Sequence, residues 1–196
     1  MNKNILNLKI NYDTVLVRMG ANKYKTKIDD KIKTSILEMT DLAKKLLQPK
    51  YAVCITEKKV KTDDIVLDDF IISSKDIYKL LENSNLVCGL VATLGQSIDT
   101  KISLFLDNKQ IMEAFILDSI GSVAVEELVN NICNDIKMQY ENTTLRFSPG
   151  YGDWNIQNQP DFLKWLGAEK IGVTLTSSYQ MIPRKSVSAI FGIQKN

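Results

Sequence analysis

The stretch from Gln110 to about Gln139 constrains this chain most, because it is the longest helical signal in the sequence. From Ile111 to Val129 its apolar side chains fall on most of the helix circumference, which predicts a central, largely buried helix. Gly121, Ser122 and Ala124 are small, so another backbone is expected to approach closely there. Glu126 and Glu127 stand out against this background, since a carboxylate on a buried helix is costly unless paired. Either can point to the helix's wet side, the reading adopted for Glu127. For Glu126 the functional reading is that it faces a pocket and meets an ammonium group.

Other elements must cover such a helix. Residues 5–11 alternate loosely and suit a short strand or an extended arm, and Gly20 is a plausible stop for the segment from Asp13. Residues 21–27 read as a surface loop. Ile28, Ile32, Ile36, Met39, Ala43 and Leu46 step by three or four, which predicts an amphipathic helix over 28–47. Thr26 is its expected cap, Asp29 the capping-box partner, and Pro49 its terminator.

Tyr51–Ile55 reads as a buried strand. Ile65–Ile72 reads as a second strand broken by Asp68-Asp69, and Leu86–Ala92 as a third. Ser73 or Ser74 can cap a short helix to Leu81, and a further helix is expected over about Ser97 to Leu106. A short helix follows Pro160, and Val173–Thr176 and Ser186–Ile193 alternate like half-buried strands expected to pair as antiparallel neighbours. Helices separated from short strands predict an α+β fold with a mainly antiparallel sheet rather than a doubly wound one. The whole of 1–196 reads as one domain, with about 1–27 as an N-terminal extension.

Composition narrows the chemistry. The 196 residues include no histidine, which excludes a histidine base, triad or metal ligand. Cys54, Cys88 and Cys133 lie far apart, so no paired-cysteine zinc, iron–sulfur or dithiol motif forms; buried free thiols in a reducing cytoplasm are expected. The net charge of +2 gives no long-range field to support binding to nucleic acid or membrane. No apolar run approaches the roughly 20 residues of a membrane span. Lys58-Lys59-Val60-Lys61 is a basic cluster read as a solvated turn, and Arg184 and Lys185 as solvated charge, with docking of a partner as the alternative. No glycine-rich phosphate cradle follows any strand.

Arg146-Phe147-Ser148-Pro149-Gly150-Tyr151-Gly152-Asp153-Trp154 is the chemically richest stretch. Pro149 and Gly150 can make a type II turn that leaves backbone groups free. Arg146 offers a fork suited to a carboxylate or phosphate, while Tyr151 and Trp154 offer flat faces for a base or sugar. The residues alone leave two readings open: a pocket for a small ligand with a carboxylate and an aromatic ring, or a structural loop whose aromatics cap the core.

This stretch resembles the Arg-x-x-Pro-Gly-Tyr signature of the activation domain of cobalamin-dependent methionine synthase. Leu175-Thr176, Met181, Pro183 and Ser186-Val187-Ser188 are similar to that family's closing segment, and Ala124-Val125-Glu126 to its central helix. The continuation Gly-Asp-Trp resembles the small free-standing members from anaerobic bacteria. The resemblance implies a C-shaped α+β domain that binds S-adenosylmethionine. It also implies a role in reactivating cobalamin carried by a separate methionine synthase, with flavodoxin or ferredoxin as electron donor.

It further implies that Arg146 holds the donor's carboxylate end, and that the turn binds the donor through Ser148, Pro149 and Gly150, with backbone contacts from Ser148 and Gly150. Tyr151 would sit over the ligand and face the corrinoid. Glu126 would meet the amino or sulfonium charge, and Glu141 is a weaker match to a second acid. Phe191 stands where the family has a tyrosine, so a hydroxyl contact is lost. Reactivation of another corrinoid methyltransferase, or a non-catalytic S-adenosylmethionine-binding scaffold, are the alternatives.

Overall fold

The computed structural model describes residues 7–21, 28–140 and 142–194. Thr26, the loop residues 22–27, Ile5, Leu6 and Glu141 lie outside the described residues. In chain order the elements are helices α1 (Tyr12–Arg18) and α2 (Asp30–Leu46), strands β1 (Lys50–Glu57), β2 (Lys59–Lys61), β3 (Asp64–Leu67) and β4 (Phe70–Ile72), helix α3 (Lys75–Leu81), strand β5 (Leu86–Thr93), helices α4 (Gln96–Asp107) and α5 (Ile111–Tyr140), strand β6 (Asn142–Thr143), helix α6 (Gln159–Leu166), and strands β7 (Thr174–Leu175), β8 (Met181–Ile182) and β9 (Ser186–Gln194). Residues 7–11 form no regular strand.

Helix α5 has 30 residues, so it runs about 45 Å at 1.5 Å per residue. Its two halves meet different partners. Along the N-terminal half, Ala114, Ile116, Leu117, Ile120 and Val123 pack with Val15 of α1, Ile36 and Ala43 of α2, and Ile98, Ile102 and Phe105 of α4. Along the C-terminal half, Ala124, Val125, Leu128, Val129, Ile132 and Ile136 cover one face of the main sheet. Gly121 admits side chains rather than a backbone: a Cβ there would lie 3.0 Å from both Ile98 Cδ1 and Lys185 Cε.

The main sheet is antiparallel throughout, in the order β1-β5-β9-β6. Cys88, Leu90 and Ala92 of β5 and Ala189, Phe191 and Ile193 of β9 face α5. Val87, Val91 and Ile190 face the opposite way, into a core with Trp154, Phe162, Leu163 and Leu166. The sheet is therefore buried on both faces at its centre, and the fold is α+β as expected, with an antiparallel sheet and one long central helix.

Several local expectations change. β1 is an edge strand and only half-buried. The run from Ile65 to Ile72 is a β3–β4 hairpin turning at Asp68-Asp69, and β2 pairs with β3 beside it. Lys59, Val60 and Lys61 of the basic cluster are thus exposed strand, not turn, while Lys58 lies between β1 and β2 and its Nζ donates to the carbonyls of Leu81 (2.5 Å) and Glu82 (3.1 Å) at the C-terminal end of α3. Asp29 is itself the N-cap of α2, accepting from Lys31 N at 3.0 Å. The last two strands do not pair: β7 pairs with β8, while β9 lies between β5 and β6. Alternation marks a strand but says nothing of its partner, and β9 finds its neighbours about 100 residues upstream and at β6.

Gly89 in β5 lies beneath Trp165 and Leu166 of α6, where a Cβ would come within 2.9 Å of Leu166 Cδ2. Gly89→Ala should therefore cost about 1–3 kcal/mol by overpacking. Thermal unfolding should show the midpoint falling by roughly 2–4 °C for each kcal/mol; an unchanged midpoint would mean that α6 docks more loosely than its contacts imply.

Candidate functional site

The segment after α5 is zipped to the edge of β9. Thr144 N donates to Gly192 O at 2.9 Å, Phe147 and Ile190 exchange two backbone bonds of 2.8 Å, and Ser148 Oγ donates to Ser188 O at 2.7 Å. The chain then leaves the sheet in a tight turn. Tyr151 N donates to Ser148 O at 3.3 Å, and Gly150 has φ +91°, the left-handed conformation that a type II turn requires at its third residue. The turn foreseen from Pro149-Gly150 is present.

Two residues beyond the turn fix its position. Asp153 receives Ser74 Oγ at 2.5 Å, Lys75 N at 2.8 Å and Asp76 N at 3.2 Å, so its carboxylate sits at the N-terminus of α3. Asp153 N returns a bond of 3.1 Å to Asp76 Oδ2. The Ser74 hydroxyl, aided by the Lys75 and Asp76 amides and Asp153's own, holds the Asp153 carboxyl below its ordinary 3.8. Trp154 is fully buried, its ring 5.1 Å from Phe162 in an edge-on arrangement. Trp154 is therefore a core anchor and offers no face to a ligand, so for this residue the second of the two readings holds, an aromatic that caps the core.

Between the turn, α5 and β9 lies a cleft. Its inner part, about 200 Å³, is lined by Glu126, Arg146, Phe147, Ser148, Tyr151, Val187 and Ala189. A larger part, about 660 Å³, shares Glu126, Ser148, Tyr151 and Val187 and extends past Pro149 to Gln159, Tyr179 and Arg184. The volume falls in the range of small-molecule sites. Arg146 Nη2 donates to Glu126 Oε2 at 3.0 Å, and both side chains remain partly open, 33% and 52% exposed. Arg146 also reaches Cys133, whose thiol is pushed up by burial and drawn partly back by the guanidinium. The cleft thus presents adjacent positive and negative groups, a hydroxyl occupied by backbone, and the Tyr151 ring, 68% exposed.

Arg146, Ser148, Pro149, Tyr151 and Glu126 are brought together here. Gly150 forms the turn behind them, with Ile156 3.3 Å from where its Cβ would be. Phe191 lies elsewhere, buried between the sheet and α5 two residues beyond Ala189. Glu127 is half-buried beside α1. Gln159, Tyr179 and Arg184 were not singled out as cleft residues from the sequence. Tyr179 carries a signal only the backbone shows, a φ of +65° that is uncommon for a bulky residue. Among the described residues no group of three or more His, Cys, Asp or Glu could hold a metal ion, and no helix is long and apolar enough to cross a membrane.

Residues 30–196 match the family model described as vitamin B12 dependent methionine synthase, activation domain. The chain belongs to that family. Among solved structures it is similar to the MetH reactivation domain bound to AdoHcy, with a TM-score of 0.75 and 14% sequence identity, over 97% of this chain and 76% of that one. No curated protein sequence matches it. At that identity the likeness establishes the fold. The family match covers every cleft residue described above and begins after α1.

The Asp153 clamp has a pH signature. A carboxyl whose folded pKa is depressed contributes stability above its unfolded value, and the contribution is lost as pH falls through the folded value. Urea midpoints of wild type and Asp153→Asn should differ most at pH 7, with wild type the more stable. The gap should close as pH falls below 3.8. A gap that persists unchanged at pH 2.5 would mean that the carboxylate charge is not what holds the turn.

Proposed function

We propose that the cleft binds S-adenosylmethionine and that this chain supports the reductive methylation of cob(II)alamin held by a separate methionine synthase. The observation that carries the reading is the Arg146–Glu126 pair at the inner end of the cleft. Its two signs stand side by side, as the carboxylate and ammonium of an α-amino acid do. Arg146 gives one hydrogen bond to Glu126, which leaves most of its five donors for a carboxylate. Glu126 in turn can accept from the ligand's ammonium. The exposed Tyr151 ring and the roughly 660 Å³ extension suit the ligand's adenosyl half.

The residues present therefore fit this ligand. The family's activation role and the AdoHcy bound to the similar MetH domain support the same assignment, since that molecule is the demethylated form of the donor. S-adenosylmethionine would supply an electrophilic methyl group on a sulfonium, leaving as S-adenosylhomocysteine when that methyl passes to the partner's cobalamin, for which a flavodoxin or ferredoxin would provide the one electron of reduction. This chain's part is to bind and orient the donor. It contributes no base or nucleophile of its own in this reading. The separate-subunit arrangement rests on the Gly152-Asp153-Trp154 continuation, which resembles free-standing relatives. Three free thiols accord with a cytoplasmic setting.

Mixing the protein with cob(II)alamin-loaded synthase lacking its own activation domain, a one-electron reductant and S-adenosylmethionine should give methylcobalamin, read by its absorbance spectrum. A yield no higher than without this protein would sink the proposal. Binding without turnover would favour a scaffold, and turnover only with a different corrinoid protein would move the partner. In calorimetry Arg146→Ala should weaken S-adenosylmethionine binding by about 1.5–3 kcal/mol, the loss expected for charge-assisted hydrogen bonds. Unchanged affinity would remove Arg146 from the ligand's site.

A further inference from the structure

The cleft holds a second guanidinium that the proposed donor does not need. Arg184 lines its larger part, with a side chain 56% exposed. Its backbone N–H donates to Asp99 Oδ2 at 2.6 Å, while its Nε stands 3.7 Å from Asp99 Oδ1, beyond hydrogen-bond reach. Among the described residues the Arg184 fork therefore has an ion-pair neighbour but no hydrogen-bonded partner.

The backbone that carries it is held at successive residues. Lys185 is 8% exposed, not solvated as expected, and its Nζ donates to Asp118 Oδ1 at 2.8 Å and Ser122 Oγ at 2.9 Å. Lys185 O accepts from Leu94 N at 3.0 Å, and Ser186 Oγ donates to Pro183 O at 2.7 Å. A free fork on a fixed backbone is suited to catching an oxyanion, because little backbone freedom remains to be lost on binding.

That oxyanion is not on the donor. S-adenosylmethionine has one carboxylate, assigned above to Arg146, and its sulfonium and ammonium leave it net positive. A further cation on the same cleft repels it, a cost that buried Asp99 reduces. The fork then suits the other reactant. We propose that Arg184 is a docking residue for a carboxylate on the protein that carries the corrinoid, engaged at the rim of the cleft when that protein presents its corrinoid to the bound donor. The inference rests on the function proposed above and adds to it the charge of the partner's contacting surface.

The test compares wild type, Arg184→Gln and Arg184→Lys, all folded by circular dichroism. Each, saturated with S-adenosylmethionine, is titrated with cob(II)alamin-loaded carrier protein and, separately, with free cob(II)alamin. Arg184→Gln should weaken carrier binding roughly fivefold at low ionic strength, and the difference should shrink with added salt. Arg184→Lys should keep part of the affinity, S-adenosylmethionine affinity should hold or tighten, and free cob(II)alamin should show no difference. Unchanged carrier affinity overturns the inference while leaving the proposed function standing. Weakened donor binding overturns it by placing Arg184 in the donor's site, and an equal loss with free cob(II)alamin assigns the anion to the corrinoid itself. A wild type that binds no S-adenosylmethionine overturns the proposed function and this inference together.

Discussion

Burial of α5 is the constraint on which the rest of the structure depends. A helix apolar around most of its circumference has no stable place at a surface. Here no single layer covers its 30 residues, so helices α1, α2 and α4 take one half and the four-stranded sheet takes the other. The change of partner falls between Val123 and Ala124. Glu126 sits just past it, on the side of the helix that faces the sheet's open margin instead of its core, and that is where the cleft forms. A carboxylate within the apolar run is tolerated because it is half-exposed and paired with Arg146 rather than sealed inside.

The loop opposite α5 is held by a different principle. Its backbone follows β9 as far as Ser148, then departs, and a departing loop needs another anchor to stay in one conformation. Asp153 at the α3 N-terminus and Trp154 in the opposite core provide two, one electrostatic and one apolar. They lie on the far side of the Pro149-Gly150 turn from Arg146. The turn is thus tied down at both ends, and Tyr151 is left exposed at its tip. Preorganisation of this kind lowers the ordering cost that ligand binding would otherwise bear.

Much of this was legible in the sequence, and the boundary of legibility has a physical origin. Helix α5, the Ser74 cap of α3 and the type II turn follow from periodicity, capping chemistry and φ preference, all set within a few residues. Glu126 could be singled out because a charge in an apolar run asks for a partner. What stayed open or was misread depended on distant residues. Trp154 reads identically in the sequence whether it stacks on a ligand or fills a core; Phe162 and the sheet decide. Lys185 reads as solvated until Asp118, 67 residues away, is brought beside it. The pairing of β9 with β5 rather than β7 is likewise invisible to alternation, which fixes a strand's two faces and not its neighbours.

The two guanidiniums of the cleft show how differently one residue type can be used. Arg146 has its countercharge on the cleft wall at hydrogen-bond distance, so a ligand carboxylate that takes its free donors also comes close to the Glu126 carboxylate. That arrangement favours a zwitterion over a simple carboxylate, whose charge would meet Glu126 with no ammonium to offset the repulsion. Arg184 has its countercharge buried behind it, 3.7 Å away, with the main bond spent on backbone. Its neutralisation is partial and its fork is free, so an incoming anion would have no hydrogen bond to displace from it. Under the function proposed above, the inner end of the cleft would take the small donor and Arg184 the surface of the protein that carries the acceptor, so a small-molecule grip and a protein contact would share one cleft.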